Sequence, residues 1–97
     1  MKIEILDTAK SDLIEGFHFY EKQGPGLGSY FLTNLYADIE SLRIYGGIHS
    51  KPHKDYHRLL AQRFPFAVFY KVEQAWVRIY AVLDCRRSPT WIRSKLP

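Results

Sequence analysis

The spacing of the apolar residues changes once along this chain, near residue 46, and that change limits the folds open to it. Before it, Leu27, Phe31, Leu35, Ile39 and Leu42 follow one another at steps of four, four, four and three. Such steps put side chains on one face of an α-helix. After it, the chain is rich in Val, Ile, Tyr, Phe and Trp and alternates in the manner of strands. A striped helix and a one-sided sheet must each bury an apolar face. Helices that come first and strands that follow therefore predict an α+β fold, with a two-helix hairpin packed on a mostly antiparallel sheet.

The elements read in the order β-α-α-β-β-β. Lys2–Leu6 alternates, with Ile3 and Ile5 on one side, as a short strand does. Asp7 or Thr8 is placed to cap the next helix by accepting from free amides of its first turn. That helix carries Ala9, Leu13, Phe17 and Tyr20 on one face and stops at Gly24-Pro25-Gly26. The second helix carries the Leu27 stripe and is expected to end at Gly46-Gly47. The short connection between them predicts an antiparallel hairpin. A polar loop, Ile48–Asp55, leads to strands over Tyr56–Ala61, Pro65–Val72 and Ala75–Leu83, the last two joined at Glu73-Gln74. Phe66, Val68 and Tyr70 are expected on one face, with Ala67, Phe69 and Lys71 on the other. Val77, Ile79, Ala81 and Leu83 are expected to share one apolar face, and Thr90–Leu96 to add a helical turn. The predicted core holds Ile5, Leu13, Phe17, Phe31, Leu35, Ile39, Val68, Ile79 and Ala81.

A chain of 97 residues forms one modest core, so residues 1–97 read as a single domain. No apolar run nears the roughly 18–20 residues that span a bilayer, and no apolar stretch follows Lys2 to make a signal peptide. The lone Cys85 allows no internal disulfide. These features fit the cytosol. Charge is divided unevenly: residues 1–42 carry a net −4 and residues 43–97 a net +8. That split predicts a basic surface that meets a polyanion or an acidic partner.

Several side chains could carry chemistry. Arg86 and Arg87, adjacent at a strand end, cannot both lie flat on one face, so at least one reaches solvent or a partner. A guanidinium grips phosphate or carboxylate in bidentate fashion. The alternative is an internal ion pair or a bond to a carbonyl. Arg58 and Arg63 carry the same two readings, whereas Arg78 reads as an outward sheet residue. In the predicted sheet, Arg63 and Arg86 fall at one end of adjacent strands. His49, His53 and His57 recur every four residues, a spacing that aligns metal ligands on a helix. Pro52 and the polar surroundings argue against a helix there. The three read as packed or exposed imidazoles, with acid–base work at His53 or His57 the alternative. Trp76 and Trp91 read as covers for a small core, although either could stack on a base. Cys85, beside two arginines, reads as incidental. No pattern calls for a metal or an organic cofactor.

Four stretches, in order and covering nearly the whole chain, resemble the RelE/ParE toxin superfamily of type II toxin–antitoxin and plasmid-stabilisation systems. They are Asp12-Leu13 through Phe19-Tyr20-Glu21, Pro25-Gly26-Leu27-Gly28 with Phe31-Leu32, Arg58 through Tyr70, and Val82 through Trp91. The resemblance implies a growth-inhibiting toxin neutralised by an antitoxin encoded beside it. ParE-like members inhibit DNA gyrase; RelE-like members are ribosome-dependent mRNA endoribonucleases. The central and C-terminal stretches are more similar to the ParE side. By the same resemblance, Arg63 and Arg86 or Arg87 fall at RelE-like arginine positions, and Lys51 and Lys54 lie in a loop that carries basic residues. The RelE-like C-terminal tyrosine has no counterpart; Trp91 lies in its neighbourhood, and indole is neither acid nor base at neutral pH. Three functions therefore stand: a gyrase-directed toxin, an endoribonuclease acting on mRNA at the ribosome, and an antitoxin-binding remnant. The residues expected to bind the target or nucleic acid are Lys51, Lys54, Arg58, Arg63, Arg86 and Arg87.

Overall fold

A computed structural model describes residues 1–97. Its elements are β1 (Lys2–Ile5), α1 (Asp7–Glu21), α2 (Leu27–Glu40), the single turn α3 (Leu42–Tyr45), β2 (His57–Leu60), β3 (Phe66–Glu73), β4 (Trp76–Asp84) and α4 (Pro89–Lys95). The predicted β-α-α-β-β-β order is present. The sheet runs β1-β4-β3-β2, with β1 parallel to β4 and the other pairs antiparallel.

The α-hairpin forms because the link between its helices can turn tightly and the helices can approach closely. Gly26 sits at φ 87°, a left-handed conformation that suits glycine. Glu21, at the end of α1, accepts from the amides of Gly26 (3.2 Å) and Gly28 (3.0 Å). Its carboxylate thus serves as the cap of α2, at the end where the helix dipole favours negative charge. The cap expected for α1 differs: neither Asp7 nor Thr8 bonds a first-turn amide, and Leu6 holds the cap position without a side-chain bond. Thr8 instead donates to the Tyr80 carbonyl (2.8 Å).

The core has two parts, one on each face of the sheet. On one face, α1, α2 and α3 bring Ala9, Leu13, Phe31, Leu35, Ile39 and Leu42 against Phe66, Val68, Tyr70, Val77, Ile79 and Val82. On the other, α4 lays Ile92 and Leu96 over Ala67, Phe69, Ala81 and Leu83, beside Tyr56. The predicted division of β3 into Phe66/Val68/Tyr70 and Ala67/Phe69 is therefore correct. For β4 it is not. Phe69 pairs with Ala81 and Tyr70 with Ile79, so Tyr80 is an extra residue in the ladder. This bulge shifts the alternation by one. Val77 and Ile79 stay on the helical-hairpin side, where Val82 joins them, while Ala81 and Leu83 cross to the α4 side.

Smaller differences follow from local chemistry. Leu27 is 39% exposed because it opens α2 above the packed part of the hairpin. Ile5 and Phe17 are half-buried rather than buried. Ser41 interrupts the second helix: its hydroxyl donates to the Asp38 carbonyl (2.6 Å), and the chain restarts as α3 before Gly46. The β3–β4 turn falls on Gln74-Ala75, one residue beyond the expected place. The terminal helical turn is a helix, capped by the Ser88 hydroxyl accepting from Trp91 N–H.

Both long helices send a carboxylate to an incomplete sheet edge. β1 ends opposite Ile79, leaving Tyr80–Asp84 of β4 without a strand on the side away from β3. Asp12 of α1 accepts there from Val82 N–H (2.9 Å). Asp38 of α2, only 8% exposed, accepts from Gln62 N–H (3.2 Å) just past the outer strand β2. Buried backbone donors need partners, and these side chains supply them where no strand does.

Candidate functional site

The six expected cations fall into two groups. Phe66 pairs with Asp84, and Cys85 N–H donates to the Pro65 carbonyl (2.9 Å), so the start of β3 and the end of β4 lie at one end of the sheet. Arg63, in the turn before β3, and Arg86 and Arg87, just after β4, are exposed at that end. Arg58 stands near the start of β2, toward the other end of the sheet. It is half-buried and pairs with Phe69, on the α4 side. Lys51 and Lys54 are exposed in the loop leading to β2. Helix α4 connects the groups: it begins beside Arg87 and ends where Lys54 Nζ donates to the Leu96 carbonyl (2.7 Å).

The paired arginines take different roles. Arg86 folds back on its own strand end and meets Asp84, with Nη2–Oδ2 at 2.7 Å and Nε–Oδ1 at 3.0 Å. That bond holds the Asp84 carboxyl below its usual range. Burial pushes the Tyr20 hydroxyl up while Arg86 pulls it down, so α1 also feels this charge. Arg87 has no such partner and lies 4.2 Å from the ring centre of Trp91. Lys95 approaches the same ring at 5.5 Å. Cations over an indole face are attracted by the negative potential of the ring's quadrupole, and the half-buried Trp91 thus holds Arg87 in place. Trp76 is likewise covered, by Lys2 and Arg78. Arg78 faces outward as expected and bonds Glu4 (2.8 Å). Cys85 is exposed.

Beside Arg87 lies a groove of about 340 Å³ between α1, α4 and the open edge of β4, lined by Asp12, Glu15, Phe19, Asp84, Trp91 and Lys95 among others. Burial pushes the Asp12 pKa up to about 6, against the Val82 hydrogen bond that lowers it. Sequence reasoning did not single out this groove. The available signal was an acidic residue at position 12, three after Ala9 and so on the flank of the apolar stripe.

The histidines do not align on a helix. His49 Nδ1 meets the Tyr70 hydroxyl, and His57 Nδ1 donates to the His49 carbonyl (2.6 Å). The His57 ring stacks on Tyr70 at 5.0 Å. His53 packs against Phe69 and buries an unpartnered Nδ1.

No family model and no curated protein matches this sequence. Among solved structures, a chain of the "Chromosomal ParDE TA system from P. aeruginosa" is similar, with a TM-score of 0.75 and 17% identity over 84% of this chain and 92% of that one. The fold is therefore ParE-like, as the resemblance implied. No helix is long and apolar enough to cross a membrane.

Proposed function

We propose that this chain is the toxin of a type II toxin–antitoxin pair, acting in the cytoplasm and inhibiting growth through DNA gyrase. The observation that carries the toxin reading is the ParE-like fold, shared with a chain of a ParDE system. The choice of gyrase over RNA cleavage rests on the side chains available. Cleavage needs a base within hydrogen-bond reach of the ribose hydroxyl, an acid for the leaving oxygen and cations for the phosphorane. Arg63 and Arg86 flank the Phe66–Asp84 pair, whereas His57 pairs with Tyr70. Phe66 and Tyr70 are four residues apart on β3, about 13 Å along a strand. His57 therefore stands well away from Arg63 and Arg86 along the sheet. Trp91, half-buried beneath Arg87 and Lys95, supplies no proton there.

The partner on this reading is an antitoxin segment that covers apolar surface and neutralises the basic side chains. Induced expression without the antitoxin tests the function. Loss of negative supercoiling in plasmids and DNA-damage signalling are expected. Rapid translation arrest, with mRNA cut at codon positions, would replace gyrase by the ribosome as the target. Harmless expression would leave an antitoxin-binding remnant.

A further inference from the structure

We infer that the loop from Gly46 to Tyr56 is a proton-operated latch, closed on the buried Tyr70 hydroxyl by neutral His49 and released on its protonation. Tyr70 is fully buried, yet its hydroxyl is polar and needs partners. It accepts from Gly47 N–H at 3.0 Å. Gly47 is at φ 99°, so the backbone bends there in a conformation suited to glycine. The hydroxyl's one hydrogen then points to His49 Nδ1. A nitrogen that accepts carries no hydrogen, which places the proton of neutral His49 on Nε2. His49 also supplies the carbonyl that receives His57 Nδ1–H, and the next residue's carbonyl, of Ser50, receives Arg58 N–H at 2.9 Å. One imidazole position thus holds the start of the loop to β3 and to the outer edge of β2.

Protonation undoes this arrangement by counting hydrogens. Both nitrogens of an imidazolium are donors. Nδ1–H would then point at the tyrosine oxygen, and the hydroxyl hydrogen would lose its acceptor inside the core. A buried donor without a partner is costly. The charge would also sit in a partly desolvated place. Two titratable side chains bear on it: His57 from β2 and Tyr70 from β3. Burial and His57 both hold the His49 pKa below the ordinary 6.5. The sign follows. Above 6.5 the ring is neutral with the loop closed or open, and the latch is at full strength. As pH falls below 6.5 the open form takes up a proton first, and closure weakens until the closed form also protonates.

His53, later in the loop, adds in the same direction. Its pKa is lowered by burial and by Arg93 of α4 and Arg58 of β2. The loop has a second anchor beyond His53, where Lys54 Nζ donates to the Leu96 carbonyl (2.7 Å). Acid is therefore expected to free Gly47–Ser50 first and to move Lys51 from its neutral-pH position.

Amide exchange of the intact chain, expressed as protection factors, tests the latch between about pH 7.5 and about pH 5.5. Protection of the Gly47 and Arg58 amides is expected to fall across this range, by at most about tenfold per pH unit for one proton. Core amides of β3 should not follow. His49→Asn offers an amide oxygen to the hydroxyl and cannot titrate, so its protection should lose the His49 slope. Tyr70→Phe removes the hydroxyl and should abolish the slope as well, with low protection at every pH. Flat wild-type protection, or an unchanged slope in either variant, overturns the inference.

Discussion

Gly28 shows how one missing side chain decides a contact. A Cβ built there would lie 2.6 Å from the Phe17 ring and 2.7 Å from the Phe17 carbonyl oxygen. The ring could turn away, but the carbonyl belongs to helix α1 and cannot move alone. Gly28→Ala is therefore expected to push the helices apart and cost about 1–3 kcal/mol, measured as a lower denaturant midpoint. An unchanged midpoint would mean that the helices have slack at this crossing. Asp12 makes a prediction in pH. Its folded pKa of about 6 is raised from 3.8 chiefly by burial. The protonated form is thus favoured in the folded state. The stabilisation is fully present below 3.8 and is lost as pH rises through about 6. Asp12→Asn keeps an oxygen for Val82 N–H and removes the charge. The variant should be more stable at pH 7 by on the order of 1 kcal/mol, allowing for screening by water at the groove. Its stability should also vary less between about pH 4 and 6, by urea unfolding at several pH values. A variant less stable at pH 7 would show that the ionised carboxylate is the better acceptor. Neither residue announces its role in the sequence: a glycine contact depends on which helix it meets, and the Asp12 shift depends on the β4 edge.

The stripes that encode an element are legible, and breaks within it are less so. Phe31, Leu35, Ile39 and Leu42 are all buried as their spacing requires. Leu35→Ala should leave a cavity between the α-hairpin and the sheet and cost about 2–5 kcal/mol, read from equilibrium unfolding. A loss under about 0.5 kcal/mol would mean that the site collapses around the smaller side chain. The stripe nevertheless gave no warning that Ser41 would divide the helix, because its hydroxyl's bond to the Asp38 carbonyl leaves the period almost unchanged. Strand β4 is the clearer case. Alternation alone put Val77, Ile79, Ala81 and Leu83 on one face, and the bulge at Tyr80 separates them. No glycine or proline marks it. The run Tyr80-Ala81-Val82-Leu83 is nonetheless apolar at every position, a pattern suited to a strand covered on both faces rather than one. That covering is what α4 provides, and α4 read from the sequence only as an added turn.

At the scale of the whole molecule, the uneven charge along the chain becomes an arrangement of two cationic groups joined by α4. The sequence located the six side chains but not this division, because Arg58 and Arg63, five residues apart, lie toward opposite ends of a short strand. If the chain acts as proposed, the end bearing Arg63, Arg86 and Arg87 is the better place for a target to bind. Its three guanidiniums are exposed; Asp84 at the strand end is already engaged by Arg86, and Asp12 and Glu15 lie in the groove beside Arg87. Cations gathered at one end repel each other, with only partial screening at physiological salt, and an acidic surface or phosphate relieves this. Replacing Arg86 and Arg87 together by Ala removes that attraction. The change should leave the fold intact: both side chains are exposed, and the core beneath is supplied by Leu83, Ile92 and Leu96. Trp91 would lose the cover of Arg87 but keep Lys95. The double variant is therefore expected to unfold within about 1 kcal/mol of the wild type while losing toxicity in antitoxin-free cells by at least about tenfold in the inducer dose tolerated. Lys51 and Lys54 replaced together by Ala provide the comparison at the other end, and a smaller loss is expected there. Should the arginine variant stay folded and fully toxic while the lysine variant is harmless, the acting surface belongs to the loop and α4. If both remain toxic, neither cationic group carries the effect, and the acidic helical hairpin is the surface to map next.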